Sequence, residues 1–556
     1  MIEELYQRYK TSVGVSTDTR NITPNSIYFA LKGASFNGNT FAQEALAKGA
    51  CYAVIDDPAY HIADKTLLVD DVLTTLQQLS TYHRRKLKTL VIGITGSNGK
   101  TTTKELIKSV LSQQLNIVAT QGNLNNNIGV PLTLLTIKPE TDIAIVEMGA
   151  NHPGEIAFLC SIAEPDYGYI TSIGKAHLEG FGSFEGVIKT KGELYDYLKT
   201  HHKTIIANAD NPITEALLEN YNNVYSFGVG EGVNVSVQCL STQPVKIQFA
   251  DSSLQTTTEG FPANIEGFTD TPTVATSHLV GSYNFTNIAA SVAFGRYFKL
   301  STKAIQKGIE SYIPQNNRSQ LLQWGSNTVL LDAYNANPSS MTAAIDNLLS
   351  MNSFPNKVLI LGDMFELGDY ATQEHQSIVD KLTEHQWAGV YLIGKNFKQT
   401  KAPYPQYETF EEFREVFKNL SFQDSLILIK GSRGMALERL IANDIETYLI
   451  GGRIKKSTLA IVGVKALRDL SEFRFDKAFI GINGINENGY STHDVEEALI
   501  KKQAIENSNK AFILADSTKF DIIYFANVAK LEEATIITDK KEINKDIIKN
   551  TKIINV

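Results

Sequence analysis

The segment Gly93-Ile-Thr-Gly-Ser-Asn-Gly-Lys-Thr-Thr102 decides how this chain folds and what it binds. It follows an apolar, β-branched run at 90–92, and the apolar spacing of residues 106–111 after it is helical. A strand, a glycine turn and a helix N-terminus together favour a bound phosphate. Lys100 is placed to reach nucleotide phosphates and Thr101 to hold Mg²⁺. The first glycine stands one position too early for the strict G-x-x-x-x-G-K-[ST] pattern, but the context still predicts a phosphate site rather than a plain turn.

Composition limits the class of protein. The chain has 556 residues, which suggests three to four domains, and with 43% hydrophobic and 20% charged residues it is typical of a globular protein. The net charge of −8 gives no basic footprint for nucleic acid. There is no signal-peptide pattern and no run of about 18 apolar residues, so we expect no membrane span. Three widely spaced cysteines indicate reduced thiols, and we expect a cytoplasmic protein.

Polar residues follow the predicted strands that surround the phosphate loop. Glu147 ends an apolar strand that begins at Ile143, which is where α/β sheets bind ligands, so it is a candidate Mg²⁺ ligand rather than an exposed strand-end residue. His177 follows the next strand and, taken alone, would equally suit a satisfied loop histidine. The asparagine-rich run at 122–131 suits either turns and caps or contacts to a polar substrate. Alternation over residues 220–280 predicts antiparallel strands.

The first 85 residues predict a small α/β domain with two polar loops between strands, Ser16–Arg20 and Gly33–Asn39. From the residues alone, these loops suit plain turns as well as a binding site.

The phosphate-loop string T-G-S-N-G-K-T-T resembles the ATP loop of the Mur ligase superfamily, which also includes folylpolyglutamate synthase. Strings at 172–183, 190–193, 279–290, 330–341 and 357–368 resemble further motifs of that family. The string K-G-S-R at Lys430 does so too. The strings at 330–341, at 357–368 and at Lys430 resemble the family members that add D-alanyl-D-alanine. Two departures are Thr190, where the family usually has Ala, and Tyr283, where it has His.

The resemblance implies an α/β fold of three domains. These are a small N-terminal domain for a UDP substrate (1–85), a central P-loop ATPase domain with a mostly parallel sheet (86–312), and a C-terminal Rossmann-like ligase domain (313–442).

The resemblance also implies the site residues. The catalytic residues are Lys100, Glu147, His177 and Lys191. ATP is held by Gly96, Ser97, Asn98, Gly99, Lys100, Thr101, Thr102, Asn287, Arg318, Asp332 and Tyr334. The nucleotide-sugar substrate is held by Asp18, Thr19, Arg20, Gly33, Asn37, Gly38, Asn123, Asn126 and Asn127. Two Mg²⁺ ions are held by Thr101, Glu147, His177 and Lys191.

Lys191 would bind its Mg²⁺ as a carbamate, and that modification requires a neutral amine. The lysine would therefore need a pKa lowered by burial. The opposite expectation is that Lys189 and Lys191 are a solvated charged face of a helix.

Residues 443–556 lie beyond the part that resembles the ligases. Their strings resemble the second half of the sugar-phosphate-sensing domain of DeoR-type repressors, without that domain's first strand, its phosphate loop or a DNA-reading motif. Because half an α/β sheet leaves apolar surface exposed, we expect a partial α/β appendage without function. The minority interpretation is a genuine regulatory module.

The resemblance implies an ATP-dependent amide ligase of peptidoglycan synthesis that joins D-alanyl-D-alanine to UDP-N-acetylmuramoyl-tripeptide through an acyl phosphate. We expect it to act as a monomer without nucleic acid. The alternatives are a related ligase with another acceptor, or a sugar-phosphate-responsive regulator that works through the tail.

Overall fold

A computed structural model describes residues 1–33, 35–251, 272–314, 317–441, 450–455 and 458–555. It divides the chain into two compact units, Met1–Ala442 and Asn443–Val556. The junction expected at residue 443 lies outside the described residues, as do Gln315 and Asn316 just before Arg318.

The first unit begins with a parallel four-stranded sheet in the order β1-β2-β5-β6. Its elements are α1 (Ile2–Thr11), β1 (Val15–Ser16), β2 (Ile27–Phe29), β3 (Lys32–Gly33), β4 (Phe36–Asn37), α2 (Ala42–Ala47), β5 (Tyr52–Ile55), β6 (Thr66–Leu68) and α3 (Val72–Lys86). Every residue of β2 and β5 is buried, as continuous apolar runs in parallel sheets require.

A nine-stranded sheet follows, in the order β15-β14-β13-β12-β11-β10-β7-β9-β8. Its elements are β7 (Leu90–Thr95), α4 (Lys100–Leu111), β8 (Ile117–Ala119), α5 (Gly129–Leu134), β9 (Ile143–Glu147), α6 (Glu155–Ala163), β10 (Tyr167–Ile170), α7 (Leu178–Phe181), α8 (Phe184–Thr200), β11 (Thr204–Asn208), α9 (Pro212–Ala216), β12 (Val224–Gly228), β13 (Val235–Thr242), β14 (Val245–Asp251), β15 (Thr273–Thr276), α10 (Ser282–Tyr297) and α11 (Thr302–Ser311). Strands β7 to β13 pair in parallel, whereas β13, β14 and β15 pair antiparallel, as their alternating sequence predicts.

The unit ends with a six-stranded sheet in the order β16-β17-β21-β18-β19-β20, parallel except for β16. Its elements are β16 (Gln320–Trp324), β17 (Asn327–Asp332), α12 (Pro338–Ser350), β18 (Asn356–Gly362), α13 (Ala371–Thr383), β19 (Gly389–Ile393), α14 (Lys395–Lys398), β20 (Gln406–Tyr407), α15 (Phe410–Phe417) and β21 (Ser425–Lys430). One hydrophobic core extends from the nine-stranded sheet into this one, so side chains of the two sheets pack together.

The second unit has a parallel sheet, β24-β27-β29-β30, and an antiparallel one, β25-β26-β28. Its elements are β22 (Arg453–Ile454), β23 (Ile461–Val462), α16 (Val464–Ser471), β24 (Ala478–Gly481), β25 (Gly484–Asn486), β26 (Gly489–Thr492), α17 (Val495–Glu506), β27 (Ala511–Leu514), β28 (Ala526–Ala529), β29 (Thr535–Thr538), α18 (Lys545–Asn550) and β30 (Ile553–Asn555). It has a core of its own, centred on Ile513, Ile536 and Ile547.

Candidate active site

The predicted phosphate loop joins β7 to α4 at the carboxyl edge of the nine-stranded sheet. Gly96 and Gly99 have φ angles of +143° and +81°, and a Cβ atom on Gly99 would lie 2.6 Å from Oδ1 of Asn287. Glycine tolerates both the positive φ angles and the close approach of Asn287 because it has no Cβ atom. The backbone N–H of Ser97 donates to the carbonyl of Ser172 at 2.8 Å, which ties the loop to the end of β10. The loop is therefore fixed in shape at the start of a helix, where an anion is favoured.

Lys100 lies inside this loop. Its Nζ donates to the carbonyl oxygens of Gly96, at 2.6 Å, and Ser97, at 3.3 Å. Burial lowers the pKa of Lys100; nearby Glu147 opposes this shift and Arg318 adds to it. A phosphate in the loop would give this ammonium a stronger acceptor than the two carbonyls.

Glu147 ends β9 with its carboxylate buried next to the first turn of α4. The Thr101 hydroxyl donates to its two oxygens at 3.0 and 3.2 Å, and Nδ2 of Asn125 donates at 2.9 Å. The backbone N–H of Glu147 donates to the Thr120 hydroxyl at 3.0 Å. A carboxylate and a hydroxyl oxygen therefore meet beside the phosphate loop, and these are the donors that a hard divalent cation takes.

His177 lies just before α7 in the left-handed region, with φ of +51°. Its buried Nδ1 lies against the Glu366 carboxylate, and this contact lowers the pKa of Glu366. His177 lines the same cleft as Glu147 and Thr101, so its imidazole is among the groups that could bind a cation there.

Lys191, in α8, is 1% exposed, which contradicts the expectation of a solvated charged face. Its Nζ donates weakly to the Ala150 carbonyl at 3.4 Å and lies 5.1 Å from the ring centre of Phe181. Burial, aided by the charge of Lys100, lowers the pKa of Lys191 to about 7. Its amine is therefore largely neutral above that pH.

The C-terminal sheet contributes a second set of side chains. The Arg318 guanidinium lies 3.6 Å above the ring of Tyr334, and its buried Nε has no hydrogen-bond partner among the residues that the structure describes. Arg433 lies 4.8 Å from the same ring centre. Nζ of Lys430 donates to the Asp332 carboxylate at 2.6 Å. This edge therefore offers a stacked arginine with a free donor next to an ion pair.

Most of these groups line one cleft of about 820 Å³ between the two carboxyl edges, whereas Arg433 lines a second pocket that shares Arg318 and Tyr334 with it. The predicted site residues that line it are Ser97, Asn98, Gly99, Lys100, Thr101, Thr102, Asn123, Asn126, Asn127, Glu147, His177, Asn287, Arg318, Asp332 and Tyr334. Gly96 and Lys191 do not line the cleft, but each contacts a residue that does.

The structure does not bring the six predicted residues of the N-terminal domain into this cleft. They are Asp18, Thr19, Arg20, Gly33, Asn37 and Gly38. The Asp18 carboxylate accepts the guanidinium and backbone N–H of Arg20, and this holds its pKa at about 2. Gly33 and Asn37 belong to the β3–β4 hairpin. These loops form a separate polar surface on the four-stranded sheet.

Sequence reasoning missed several side chains at the cleft. Asn125 contacts Glu147, whereas the oxygen of the predicted Asn126 accepts the N–H groups of residues 128 and 129 at the start of α5. The asparagine run at 122–131 indicates a polar site, but it does not indicate which asparagine contacts the Glu147 carboxylate. Lys430 also lines the cleft, and the K-G-S-R string at a strand end is a sequence signal for it.

Among the residues that the structure describes, no three His, Cys, Asp or Glu side chains cluster as a metal site. A cation at Glu147 would therefore also need Thr101, and a second cation would need a modified Lys191. No helix in the described ranges combines the length and apolarity that crossing a bilayer demands.

Three family models match the first unit in order: Mur ligase family, catalytic domain (12–84), Mur ligase middle domain (94–295) and Mur ligase, glutamate ligase domain (317–433). The UDP-N-acetylmuramoyl-tripeptide–D-alanyl-D-alanine ligase of Bacillus subtilis is 34% identical to this chain over 78% of the chain and 94% of the relative. The Escherichia coli enzyme of that name is also 34% identical, over 77% and 92%. The chain belongs to the Mur ligase family.

Solved Mur ligase structures agree with the fold. MurF from Acinetobacter baumannii superposes with a TM-score of 0.67 at 29% identity, covering 80% of this chain and 99% of that one. MurF from Thermotoga maritima in complex with ADP gives 0.66 at 25% identity, covering 78% and 96%. The predicted three-domain Mur ligase fold is therefore confirmed.

The tail also has a match outside the Mur ligases. A model described as the DeoR C terminal sensor domain matches residues 413–540, which confirms the resemblance seen in the sequence. Its first part overlaps the ligase match that ends at 433, so the sensor-like match begins within α15 and includes β21, both of which belong to the ligase fold.

Proposed function

We propose that this chain is an ATP-dependent ligase that joins D-alanyl-D-alanine to UDP-N-acetylmuramoyl-tripeptide, a cytoplasmic step of peptidoglycan synthesis. The observation that carries the proposal is the cleft in which the phosphate loop, Glu147 and Arg318 meet. The relatives named for this reaction match the whole ligase part of the chain. The Thermotoga relative, solved with ADP, supports a nucleotide at the loop.

The residues of the cleft fit the two chemical steps of such a ligase. The tripeptide carboxylate attacks the γ-phosphorus of ATP, the bond to the β,γ-bridging oxygen breaks, and ADP leaves. The dipeptide amine then attacks the acyl carbon and phosphate leaves. Lys100 and Arg318 stabilise the negative charge that develops on the transferred phosphoryl group.

Two sets of donors fit Mg²⁺. Thr101 and Glu147 would hold one ion, and His177 with a carbamylated Lys191 a second. The position of His177 in the cleft lining, and the pKa of about 7 for Lys191, support this assignment. The ions would neutralise phosphate oxygens and orient the carboxylate.

Contacts across the cleft would exclude water from the acyl phosphate. Nδ2 of Asn337 donates to Oδ1 of Asn98 at 2.8 Å. Nζ of Lys175 donates to Glu374 at 2.5 Å. Both contacts join the loops after β7 and β10 to the C-terminal sheet, and they suit a closed, dry reaction site.

The polar loops of the N-terminal domain suit the uridine nucleotide of the substrate. Arg20 is largely exposed and paired with Asp18, so a diphosphate would meet an oriented guanidinium. Asn123, Asn126 and Asn127 line the cleft and would contact the substrate beyond the nucleotide. We propose that the chain works as a monomer.

The test is phosphate release from ATP with UDP-N-acetylmuramoyl-tripeptide, measured with and without D-alanyl-D-alanine. Release that needs both substrates supports the proposal. Release with the tripeptide and a different amino acid or dipeptide, but not with D-alanyl-D-alanine, would contradict the proposed acceptor. It would still support an ATP-dependent ligase.

A further inference from the structure

A buried lysine that belongs to none of the sites above lies behind Glu147. Lys104 is in α4, one turn after Thr101, and its side chain is fully buried. Its Nζ donates to the Thr120 carbonyl at 2.5 Å, and it lies 3.7 Å from Oε2 of Glu147 and 3.0 Å from Oε1 of Glu105. A buried ammonium is costly unless a charge compensates it, so its partner needs to be identified.

Of the two carboxylates near Lys104, the buried one, Glu147, is the partner that compensates its charge. Its side chain is 2% exposed, whereas that of Glu105 is 34% exposed and solvated. The other groups that contact the Glu147 carboxylate are the neutral hydroxyl of Thr101 and amide of Asn125. Without a bound cation, Lys104 is therefore the nearest charge that balances this buried carboxylate.

The lysine is also tied to the backbone that positions Glu147. The carbonyl that accepts from Lys104 belongs to Thr120, and the hydroxyl of Thr120 accepts the backbone N–H of Glu147. Lys104 thus links α4, the end of β8 and the end of β9 at the point where the carboxylate emerges. A change at this lysine acts on both the charge and the position of Glu147.

We propose that Lys104 is a positioning residue that balances Glu147 in the metal-free enzyme and sets how much Mg²⁺ the enzyme requires. The ammonium stays in place when a cation binds on the other side of the carboxylate, and it repels that cation. The second half of this inference rests on the proposed cation site at Glu147; the first half does not.

The first half is tested by thermal unfolding of the metal-free protein in EDTA. Lys104→Gln keeps a donor for Thr120 but removes the charge, and Glu147→Gln removes the carboxylate. We expect each single variant to lower Tm by several degrees and the double variant to recover most of that loss, since no unpaired charge remains. Additive losses would overturn the charge pair. Lys108→Gln, an exposed lysine on the same helix, and Glu105→Gln are the controls expected to leave Tm unchanged.

The second half is tested by calorimetry of ADP binding at a series of free Mg²⁺ concentrations. Lys104→Gln should lower the Mg²⁺ concentration for half-maximal ADP affinity by roughly tenfold or more, because a like charge near the ion is removed. An unchanged or higher Mg²⁺ requirement would overturn this role. ADP binding that ignores Mg²⁺ even in the wild type would reject the cation site and this half together, while the unfolding cycle still decides the charge pair.

Discussion

Lys191 is the side chain whose surroundings most restrict its chemistry. It is buried in α8 and has one weak hydrogen bond, to the Ala150 carbonyl. A primary amine reacts with CO₂ only when it is neutral, and burial lowers the pKa of Lys191 to about 7. The protein therefore presents a reactive amine at physiological pH without a general base.

We predict that Lys191 forms a carbamate whose amount rises with pH through 7. The neutral fraction is small below the folded pKa and close to complete about one unit above it, so the sign of the dependence is fixed. Carbon-13 NMR of the protein in ¹³CO₂-equilibrated buffer should show a carbamate resonance at pH 8 and a much weaker one at pH 6. Lys191→Arg should remove the resonance and the exposed-lysine variant Lys189→Arg should keep it. No resonance at pH 8 in the wild type would contradict the prediction.

Arg318 offers a second prediction, because its guanidinium stacks on Tyr334 while its buried Nε contacts no acceptor in the described part of the chain. Lysine carries the same charge but lacks the planar fork that stacks and binds phosphate in two places. Arg318→Lys should lower kcat/KM for ATP by about 100-fold, the cost of one preorganised donor. Arg439→Lys, which changes an arginine over Phe410, is the matched control and should keep full activity. Equal kcat/KM values for the two variants would reject a phosphate role for Arg318.

The sequence indicates which strand ends carry chemistry, but not which side chains point inward. Glu147 and His177 were found because each follows a buried strand. Lys104 was missed because a lysine within a helix suggests a solvated face, and its burial depends on the Thr120 carbonyl 16 positions away. Patterns of one element thus predict the edge of the site, whereas its polar contacts depend on elements that are distant in sequence.

At the scale of elements, α12 joins the C-terminal sheet to the phosphate loop. Asn337 caps this helix by accepting the N–H of Ser340 at 2.9 Å, and its amide donates to Asn98 in the loop. Because the same side chain has two roles, substitutions can separate them. Asn98 and Asn337 are 239 positions apart, so no local sequence pattern predicts this contact.

We predict different outcomes for two replacements of Asn337. Serine also caps helices, so Asn337→Ser should keep the stability of the protein while losing the contact to Asn98. Asn337→Ala loses both, and should cost about 1 kcal/mol of unfolding free energy in addition. Steady-state kinetics should give a similar rise in KM for ATP for both variants, with a lower Tm only for alanine. A normal KM for the serine variant would show that the contact to Asn98 does not matter for nucleotide binding.

At the scale of the whole molecule, the ligase cleft is built entirely from Met1–Ala442, and the sensor-like tail is a compact unit with its own core. One face of the tail's parallel sheet is covered by that core. The opposite face is apolar: Phe479 stacks on Phe512, and Leu514 aligns with Ile537 and Ile554. Phe479 is 57% exposed and Leu514 is 45% exposed, so this face leaves apolar side chains uncovered.

The last prediction concerns a chain that ends after Ile441. Leu437 and Leu440, which close the core of the C-terminal sheet, are kept, so the shortened protein should fold and retain kcat/KM within about twofold of the full chain. It should also bind less of the dye ANS, because the exposed apolar sheet face is removed with the tail. A large loss of ligase activity with an unchanged Tm would mean that the tail contributes to catalysis and is not an appendage.

Limited proteolysis of the full chain gives an independent check. An appendage without function should be degraded before the ligase part. Equal resistance of the two parts would argue for a maintained module.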